Sequence, residues 1–584
     1  MPLAEPNSSK PLALGIDAGG TYTDIVLVAR ATRQVLAQAK SLTTPHELSV
    51  GIARALDALH IPDRQAIHSV SLATTLATNA IVENKGGRVG LLLMGYDRKM
   101  LAQFDLLGNL PVATRHSLRG RVDELGREIE PVDESEALQT LGQMRGHVQA
   151  IAVSGYFGVQ NPTHERRVRE LAVQALAVPV VCGHELTGRL DAVKRAVTAC
   201  LNARLLPVLS ALVDALESCL RQRDIVAPLW MVGGEGRLLS ADEVRQRPVE
   251  TILSGPAASV IMARATTGLT DGIVIDMGGT TSDIAILRGG HPGLSSNGAL
   301  VGGWPTSVSA VDVRTCGLGG DSHIQLLGGR LKIGPRRAVP VCLAAVEHDS
   351  VLEHLRRLRV VAQNSPDRFP MSLADFVVQI QSAAGLELSW QERGVLDLLK
   401  DGPIPLLDIF KHADDSHLLL QGIDRLEERG VAQRIGLTPT DLLHARARYV
   451  EWNEEAARLA CSIVAYQMGL TLEQFCDDVE ERVVDQLATE VIARLLQAEN
   501  VSGWDSYLLQ RALDGRNDNA PIHCRIALRD PLIGLGAPAR AFIPRLAEKL
   551  NTSWICPAHA EVGVALGTVL GQLENNRRIV ESQS

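Results

Sequence analysis

Apolar residues in this chain fall into short blocks separated by glycines and hydroxyl residues. "LALGID" (12–17) is one apolar run, "AGGTYT" (18–23) a break, and "DIVLVAR" (24–30) a second run. Two glycines followed by hydroxyl residues between apolar runs predict a β-hairpin. "QVLAQAKSLTT" (34–44) can supply a third strand. A helix is expected around 46–59 and a strand around 68–73. "GRVGLLLMG" (87–95) and "QAIAVSGYF" (149–157) read as buried strands, and "NPTHERRVRELAVQAL" (161–176) as a helix with Pro162 near its start. Strand and helix alternate, which predicts an α/β layer architecture.

Residues 190–222 form one long helical stretch, and "PLWMVGG" (228–234) a strand ending in glycines. "IVIDMGGTTSDIAIL" (273–287) then repeats "LGIDAGGTYTDIVLV" (14–28). Residues 345–436 are helical, poor in glycine and rich in charge. Their later part reads as three short helices and a terminal strand, an order resembling a winged-helix module. The insert is acidic rather than basic, which favours a structural or docking element over a DNA reader. Helices resume at 439–500. Alternation returns with "LIGLGAPA" (532–539) and a small-residue helix in "HAEVGVALGTVLG" (559–571), for which "VKRAVTACLNARLLP" (193–207) is the expected packing partner.

At 584 residues the chain exceeds one hydrophobic core. The expected divisions are a leader at 1–10, an N-terminal domain at 11–192, a second domain at 193–344 and 437–584, and the insert at 345–436. Aromatics are 3% of residues, too few for extensive base or sugar stacking. The formal charge of −9, with no basic tract, disfavours nucleic acid as a partner. The nine cysteines are dispersed without CxxC spacing, as for buried thiols in a reducing compartment. The first residues lack an apolar signal core, and no run of about 18 apolar residues occurs. A cytoplasmic location without a membrane span is expected.

The repeat carries the chemistry. Each copy has an apolar strand, an Asp (Asp17; Asp276), then Gly-Gly-Thr (Gly19, Gly20, Thr21; Gly278, Gly279, Thr280), then a second Asp (Asp24; Asp283). Glycine lets a turn approach a ligand closely, and successive N–H groups in such a turn bind anions. A carboxylate at the strand end suits Mg²⁺, which prefers oxygen ligands and retains water. Two copies point to two α/β domains, each presenting one turn to a polyphosphate. That is the pattern of the actin, sugar-kinase and Hsp70-like ATPase fold. In such a fold Gly534, Gly536 and Ala537 occupy the adenosine-side motif. The P-loop pattern GxxxxGK[ST] is absent.

Longer phrases narrow the comparison. "TTLATNAIVENKGGRVGLLLMGYD" (74–97), "NPTHERRV" (161–168), "ETILSGPAASV" (250–260), "VIDMGGTTSDIAIL" (274–287) and "VDVRTCGLGGDSHI" (311–324) resemble the ATP-binding A-type subunit of the hydantoinase/oxoprolinase family. "PLIGLGAPARAFIP" and "CPAHAEVGVALG" resemble its C-terminal nucleotide segment. The resemblance covers roughly 11–340 and 437–575. It implies two actin-like ATPase domains, ATP and Mg²⁺ as cofactors, and a B-type partner subunit; a homo-oligomer is compatible with it. The implied reaction transfers the γ-phosphate of ATP to the carbonyl oxygen of a cyclic amide or imide, such as a hydantoin or 5-oxoproline, so that water can open the ring. A carboxylase subunit activating a ketone is a second reading. An ATP-driven activase that remodels a partner is a third.

Residue by residue, Asp17 and Asp276 are expected to position Mg²⁺ and water. Thr21, Thr23, Thr280 and Thr281 are candidates for phosphate contact, with bracing of the hairpin as the alternative. Asp24 and Asp283 are read as supporting or hairpin-closing groups. Gly255 opens a helix, where an anion or a tight turn would fit. Thr75, Thr78 and Asn79, and the loop Gly319, Gly320 and Asp321, are candidates for lining the substrate site. His164 and Glu165 are read as a helix surface, His559 and Glu561 as capping or cleft-edge residues, and no transition-metal site is expected.

Overall fold

The computed structural model describes residues 11–20, 22–44, 48–106, 110, 112–365, 369, 371–411, 416–501, 506–514 and 525–583. The expected leader at 1–10, together with Thr21 and Cys524, lies outside the described residues. The chain divides into two compact units. One comprises residues 1–271, 285–313 and 562–584, and the other 272–284 and 314–561. Residues 193–271, expected to begin the second domain, cluster with the first unit.

The first unit begins with β1 (Leu12–Ala18), β2 (Tyr22–Ala29) and β3 (Val35–Leu42), followed by α1 (Leu48–Ala58), β4 (Ile67–Thr74) and α2 (Leu76–Val82). Next come β5 (Val89–Met94), β6 (Thr114–Leu118), β7 (Ala150–Gly155), α3 (Thr163–Leu176) and β8 (Val180–Cys182). The long helix α4 (Ala192–Arg221) leads to β9 (Leu229–Val232), β10 (Leu238–Ser240) and α5 (Ser254–Thr267). One sheet runs β10-β9-β4-β1-β2-β3 and a second runs β8-β7-β5-β6. In the first, β1 is antiparallel to β2 and parallel to β4, with Asp17 opposite Asp24. The second is parallel throughout.

Sequence pattern explains which strands lie inside. β1 is an uninterrupted apolar run and is buried on both faces except at Asp17, as a sheet covered by helices requires. β3 alternates half-buried and exposed residues, as befits an edge strand with one solvated face. Helix α4 is the only described helix with the length and apolarity of a membrane span, but 72% of that stretch is buried inside the protein. It begins at Asp191, whose carboxylate accepts from the Lys194 N–H at 3.0 Å.

Two expectations are corrected here. The helix Gly563–Gln583 packs against α5 rather than α4. Small residues allow the approach: a Cβ on Gly567 would lie 2.0 Å from the carbonyl oxygen of Ala258. His164 and Glu165 are not a helix surface, for they are 5% and 0% exposed. Glu165 accepts from the N–H of Gly155 (2.7 Å) and from the backbone N–H (3.0 Å) of His184, and its carboxylate lies 2.6 Å from Nδ1 of that imidazole. The loop after β7 folds over this carboxylate, and Gly158 leaves it room, since a Cβ there would stand 2.2 Å from Glu165 Oε1. Glu165, Cys182 and His184 thus bring three ligand-type side chains together. The carboxylate ties the loop after β7 to the segment at His184.

In the second unit, β11 (Gly272–Met277) is parallel to β13 (Leu532–Leu535), which is parallel to β14 (Trp554–Ile555). Strand β12 (Ser282–Arg288) follows the second Gly-Gly-Thr turn and crosses from this unit to the other. The core centres on the helices Glu454–Gln467 and Leu472–Ala498, with Phe475 and Phe542 fully buried. Within the insert, helices Trp390–Leu398, Leu406–Lys411 and Ser416–Glu428 precede the strand Ala432–Gly436. That strand pairs antiparallel with Phe376–Gln379, and a separate apolar cluster that includes Val395, Leu406 and Ile423 fills the interior.

The close contact at Gly567 gives a test. Gly567→Ala should lower the free energy of unfolding by roughly 1–3 kcal/mol through overpacking against a backbone oxygen. Gly571→Ala, where the nearest atom is the end of the Ile261 side chain at 3.2 Å, should cost distinctly less. Denaturant titration of both variants checks the ordering.

Candidate active site: two matched turns

Both Gly-Gly-Thr turns close by the same bond. The Gly19 N–H donates to the Tyr22 carbonyl at 3.1 Å, and the Gly278 N–H donates to the Thr281 carbonyl at 2.9 Å. In each case the preceding strand ends one residue before the first glycine, leaving an Asp side chain half-buried near the turn.

Around the first turn, neighbouring segments are bonded to its backbone. Thr75 N–H and Thr74 Oγ1 both donate to the Ala18 carbonyl, at 3.3 and 3.2 Å. Thr74 N–H donates to Ser254 Oγ (3.1 Å), which in turn donates to the Thr74 carbonyl (2.9 Å). The Leu253 N–H donates to Thr78 Oγ1 at 3.3 Å, and Asn79 Nδ2 donates to Thr75 Oγ1 at 3.2 Å. Gly20 is exposed, and a Cβ there would be 3.8 Å from Asn79 Nδ2. Thr75, Thr78 and Asn79 are therefore brought beside the turn. Helix α5 also starts here, after Leu253 in the left-handed region at φ 57°, with no side chain capping its first N–H groups. Apart from its chain neighbours and the backbone of its own helix, no described atom lies within 4 Å of where a Gly255 Cβ would be. An uncapped helix start with an open glycine suits an anion.

Thr23 is arranged differently from Thr280 and Thr281. It is fully buried, with Oγ1 3.2 Å from Thr43 Oγ1, and Thr43 donates to the Gly19 carbonyl at 2.9 Å. This pair braces the turn from behind. Asp24 is ion-paired with Lys40 at 2.9 Å. Neither Thr43 nor Lys40 was singled out from the sequence. Lys40 sits on β3 in register with Asp24, a pairing that a correct hairpin register alone would have revealed.

Around the second turn, the loop Gly319–Asp321 is clamped on. Gly320 N–H donates to the Gly278 carbonyl (2.9 Å) and Asp321 N–H to the Gly279 carbonyl (2.6 Å). A Cβ on Gly319 would lie 2.4 Å from the Gly279 carbonyl oxygen, so glycine is required for the approach. Asp321 is 3% exposed and lies 3.5 Å from Arg337 Nε, which makes it a brace beneath Gly279 rather than an open base. Thr280 and Thr281 are half-buried, whereas Ser282 is buried and donates to the Leu318 carbonyl at 2.6 Å.

The motif at 534–537 divides into two roles. Gly534 is buried in packing, where a Cβ would meet Ile543 at 2.7 Å and Cys556 Sγ at 2.8 Å. Gly536 has φ 86° and lies against β11, where a Cβ would stand 2.1 Å from the Met277 carbonyl oxygen and 3.3 Å from Asp276 Oδ1. Gly536 and Ala537 are half-buried beside the strand-end aspartate, and the helix Ala539–Lys549 begins just beyond.

Asp283 is the electrostatic counterpart of Asp24 without its lysine. Burial, reinforced by the nearby Asp276 carboxylate, pushes its pKa up to about 7, while the hydroxyl of Thr315 donates to it and partly opposes the shift.

Two stretches of the chain, residues 13–176 and 195–342, match the family descriptions "Hydantoinase/oxoprolinase N-terminal region" and "Hydantoinase/oxoprolinase". The chain is 31% identical over 370 residues to the caprolactamase alpha subunit of Pseudomonas jessenii, covering 57% of this chain and 52% of that one. It is 29% identical over 375 residues to the acetophenone carboxylase gamma subunit of Aromatoleum aromaticum, covering 56% and 50%. This chain spans about half the length of these curated relatives. The solved structure of the ATP-dependent caprolactamase from Pseudomonas jessenii superposes with a TM-score of 0.62 at 23% identity, over 95% of this chain and 70% of that one.

The raised pKa of Asp283 fixes a pH dependence. Its folded value lies above the ordinary carboxylate value of 3.8, so the folded state holds this proton more tightly than the unfolded chain. The group's contribution to stability should be fully present below about pH 4, decline as pH rises, and be lost above about pH 7. Asp283→Asn should flatten that part of the profile when melting temperature is followed from pH 4 to 8.

Proposed function

Because the chain belongs to the hydantoinase/oxoprolinase family, we propose that it is an ATP-dependent subunit that phosphorylates the carbonyl oxygen of a cyclic amide or imide. Its fold is that of the actin-like ATPases. The observation that carries the reading is the pair of turns, closed by the same bond and each preceded by a half-buried strand-end Asp.

In this proposal the N–H groups of Gly19, Gly20 and Thr21, and of Gly278, Gly279 and Thr280, bind phosphate oxygens. The hydroxyls of Thr280 and Thr281 add donors, and Gly536 and Ala537 give the nucleoside its close approach. Asp17 and Asp276 fit Mg²⁺ in chemistry, being oxygen donors at the ends of strands beside anion-binding turns. When bound, the ion supplies neutralisation of phosphate charge. The chain's own part is positioning. Bracing by Thr43, Ser254, Asp321 and Ser282 holds the turns so that little reorganisation accompanies transfer.

Transfer of the γ-phosphoryl group to a lactam oxygen breaks the amide resonance and leaves the carbonyl carbon open to attack. One water then adds and the ring C–N bond breaks, the nitrogen taking up a proton, to leave a ring-opened acyl phosphate; a second water hydrolyses that to a carboxylate and free phosphate. Thr75, Thr78 and Asn79, beside the exposed Gly20, are the proposed contacts to the acceptor. The relatives named as alpha and gamma subunits support action alongside a second, B-type subunit. The carboxylase relative shares a reading in which the activated carbonyl meets a carbon nucleophile instead of water. The lactam reading is favoured by the match to the hydantoinase/oxoprolinase family together with the caprolactamase relative.

Replacing both aspartates by Asn (Asp17→Asn with Asp276→Asn) should lower Mg²⁺-dependent ATP turnover by about 100-fold or more, in the range of losing a preorganised charge-stabilising group. The melting temperature should stay within a few degrees of the parent. Turnover at the parental rate in the folded double variant would show that these carboxylates do not serve the reaction.

A further inference from the structure

Two phrases of the sequence, "NPTHE" (161–165) and "CGHE" (182–185), have no part in the roles assigned above. In the first unit they meet at one end of the parallel sheet β8-β7-β5-β6. Glu165 lies in the first turn of α3, Cys182 is the last residue of β8, and His184 follows in the short helix Gly183–Leu186. From β5 the chain adds β6 on one side of the sheet and then β7 and β8 on the other, so the winding reverses between β5 and β7. The carboxyl ends of strands at such a reversal are where open α/β sheets place ligands.

A carboxylate oxygen of Glu165, Sγ of Cys182 and a ring nitrogen of His184 all lie within 4.8 Å of one another. Glu165 and Cys182 are fully buried, and the His184 side chain is nearly so. Among the described residues no Lys or Arg forms an ion pair with Glu165, whose one such partner is His184. Buried carboxylates are paired with a cation or coordinate a metal. Gly155 and Gly158, which stand against Glu165 Oε1, border a cavity of about 10 Å³. That is about the least volume that holds one water.

We propose that Glu165, Cys182 and His184 bind a single Zn²⁺, with a water from the adjoining cavity as the fourth ligand. The site rests on no part of the carbonyl-phosphorylation reading. Carboxylate, thiolate and imidazole are ligands that Zn²⁺ takes, and the water completes a tetrahedron. Sulfur and nitrogen donors disfavour Mg²⁺ and Ca²⁺, which prefer oxygen. One carboxylate, one thiolate and a neutral imidazole cancel the two charges of the ion, so the buried set carries no net charge. Glu165 Oε2 stands 2.6 Å from His184 Nδ1, a hydrogen-bond distance. Two ligands of a tetrahedral Zn²⁺, each about 2.0–2.1 Å from it, stand roughly 3.3 Å apart. The ion therefore replaces the bridging proton, parts the pair by ~0.7 Å, and leaves the ring proton on Nε2. Burial keeps the Cys182 thiol protonated, its pKa pushed up to about 12, and the ion displaces that proton too.

The test is titration of the chelator-treated full chain with Co²⁺ as a spectroscopic probe, followed by displacement with Zn²⁺. Excess Mg²⁺ keeps oxygen-only sites filled throughout. The expected result is one Co²⁺ per chain, with a near-ultraviolet thiolate-to-cobalt band and the strong visible bands of tetrahedral cobalt, all erased by one equivalent of Zn²⁺. Zn²⁺ should bind with a Kd below about 1 μM and raise the melting temperature. Cys182→Ser should remove the thiolate band and weaken Zn²⁺ by about 100-fold or more, the upper range for losing even a supporting residue of a metal site. Cys219→Ser, whose thiol instead lies 3.2 Å from Arg223, should retain both. If Cys182→Ser does not fold, His184→Ala takes its place and should weaken Zn²⁺ likewise. No thiolate band in the parent chain, a band that persists in Cys182→Ser, or parental Zn²⁺ affinity in His184→Ala would each overturn the proposal.

Discussion

A short bond between the N–H of a first glycine and a carbonyl three residues later sets both Gly-Gly-Thr turns. Much else in the structure is arranged to keep that bond and its surroundings in place. In the first unit, β4 and α5 fasten to Ala18 and Thr74, and Thr43 fastens to the Gly19 carbonyl. In the second, the loop 319–321 bonds to both glycine carbonyls. Turns that present successive N–H groups are useful for anions only if the backbone is held in advance, because reorganisation during transfer erodes the electrostatic gain.

The two copies share geometry but differ in electrostatics. Asp24 is neutralised by Lys40, whereas Asp283 has a threonine hydroxyl and a neighbouring carboxylate and holds its proton to about neutral pH. The strand-turn-strand is the same in both copies, and the supporting charge is not. The first copy pairs its carboxylate with a lysine, and the second buries its carboxylate without one, which raises its pKa.

Much of this was legible in the sequence because it is local. Apolar runs flanking Gly-Gly-Thr specify β1, β2, β11 and β12, and the helices at 161–176 and 190–222 appear within a residue or two of their expected limits. What escaped depends on contacts between distant segments. Glu165 reads as surface until the loop carrying Gly158 closes over it. Asp321 reads as an available carboxylate until Arg337, sixteen residues later, comes alongside. The partner of the helix Gly563–Gln583 turns on which small residue faces which backbone, here Gly567 against Ala258, and periodicity carries no information about that choice.

The central claim is that both turns are phosphate-binding elements. Amide hydrogen exchange with and without a non-hydrolysable ATP analogue and Mg²⁺ tests it most directly. The account predicts slowed exchange at both 19–23 and 278–282, with little change in residues 390–436 of the insert. Protection confined to one turn, or to neither, would contradict it.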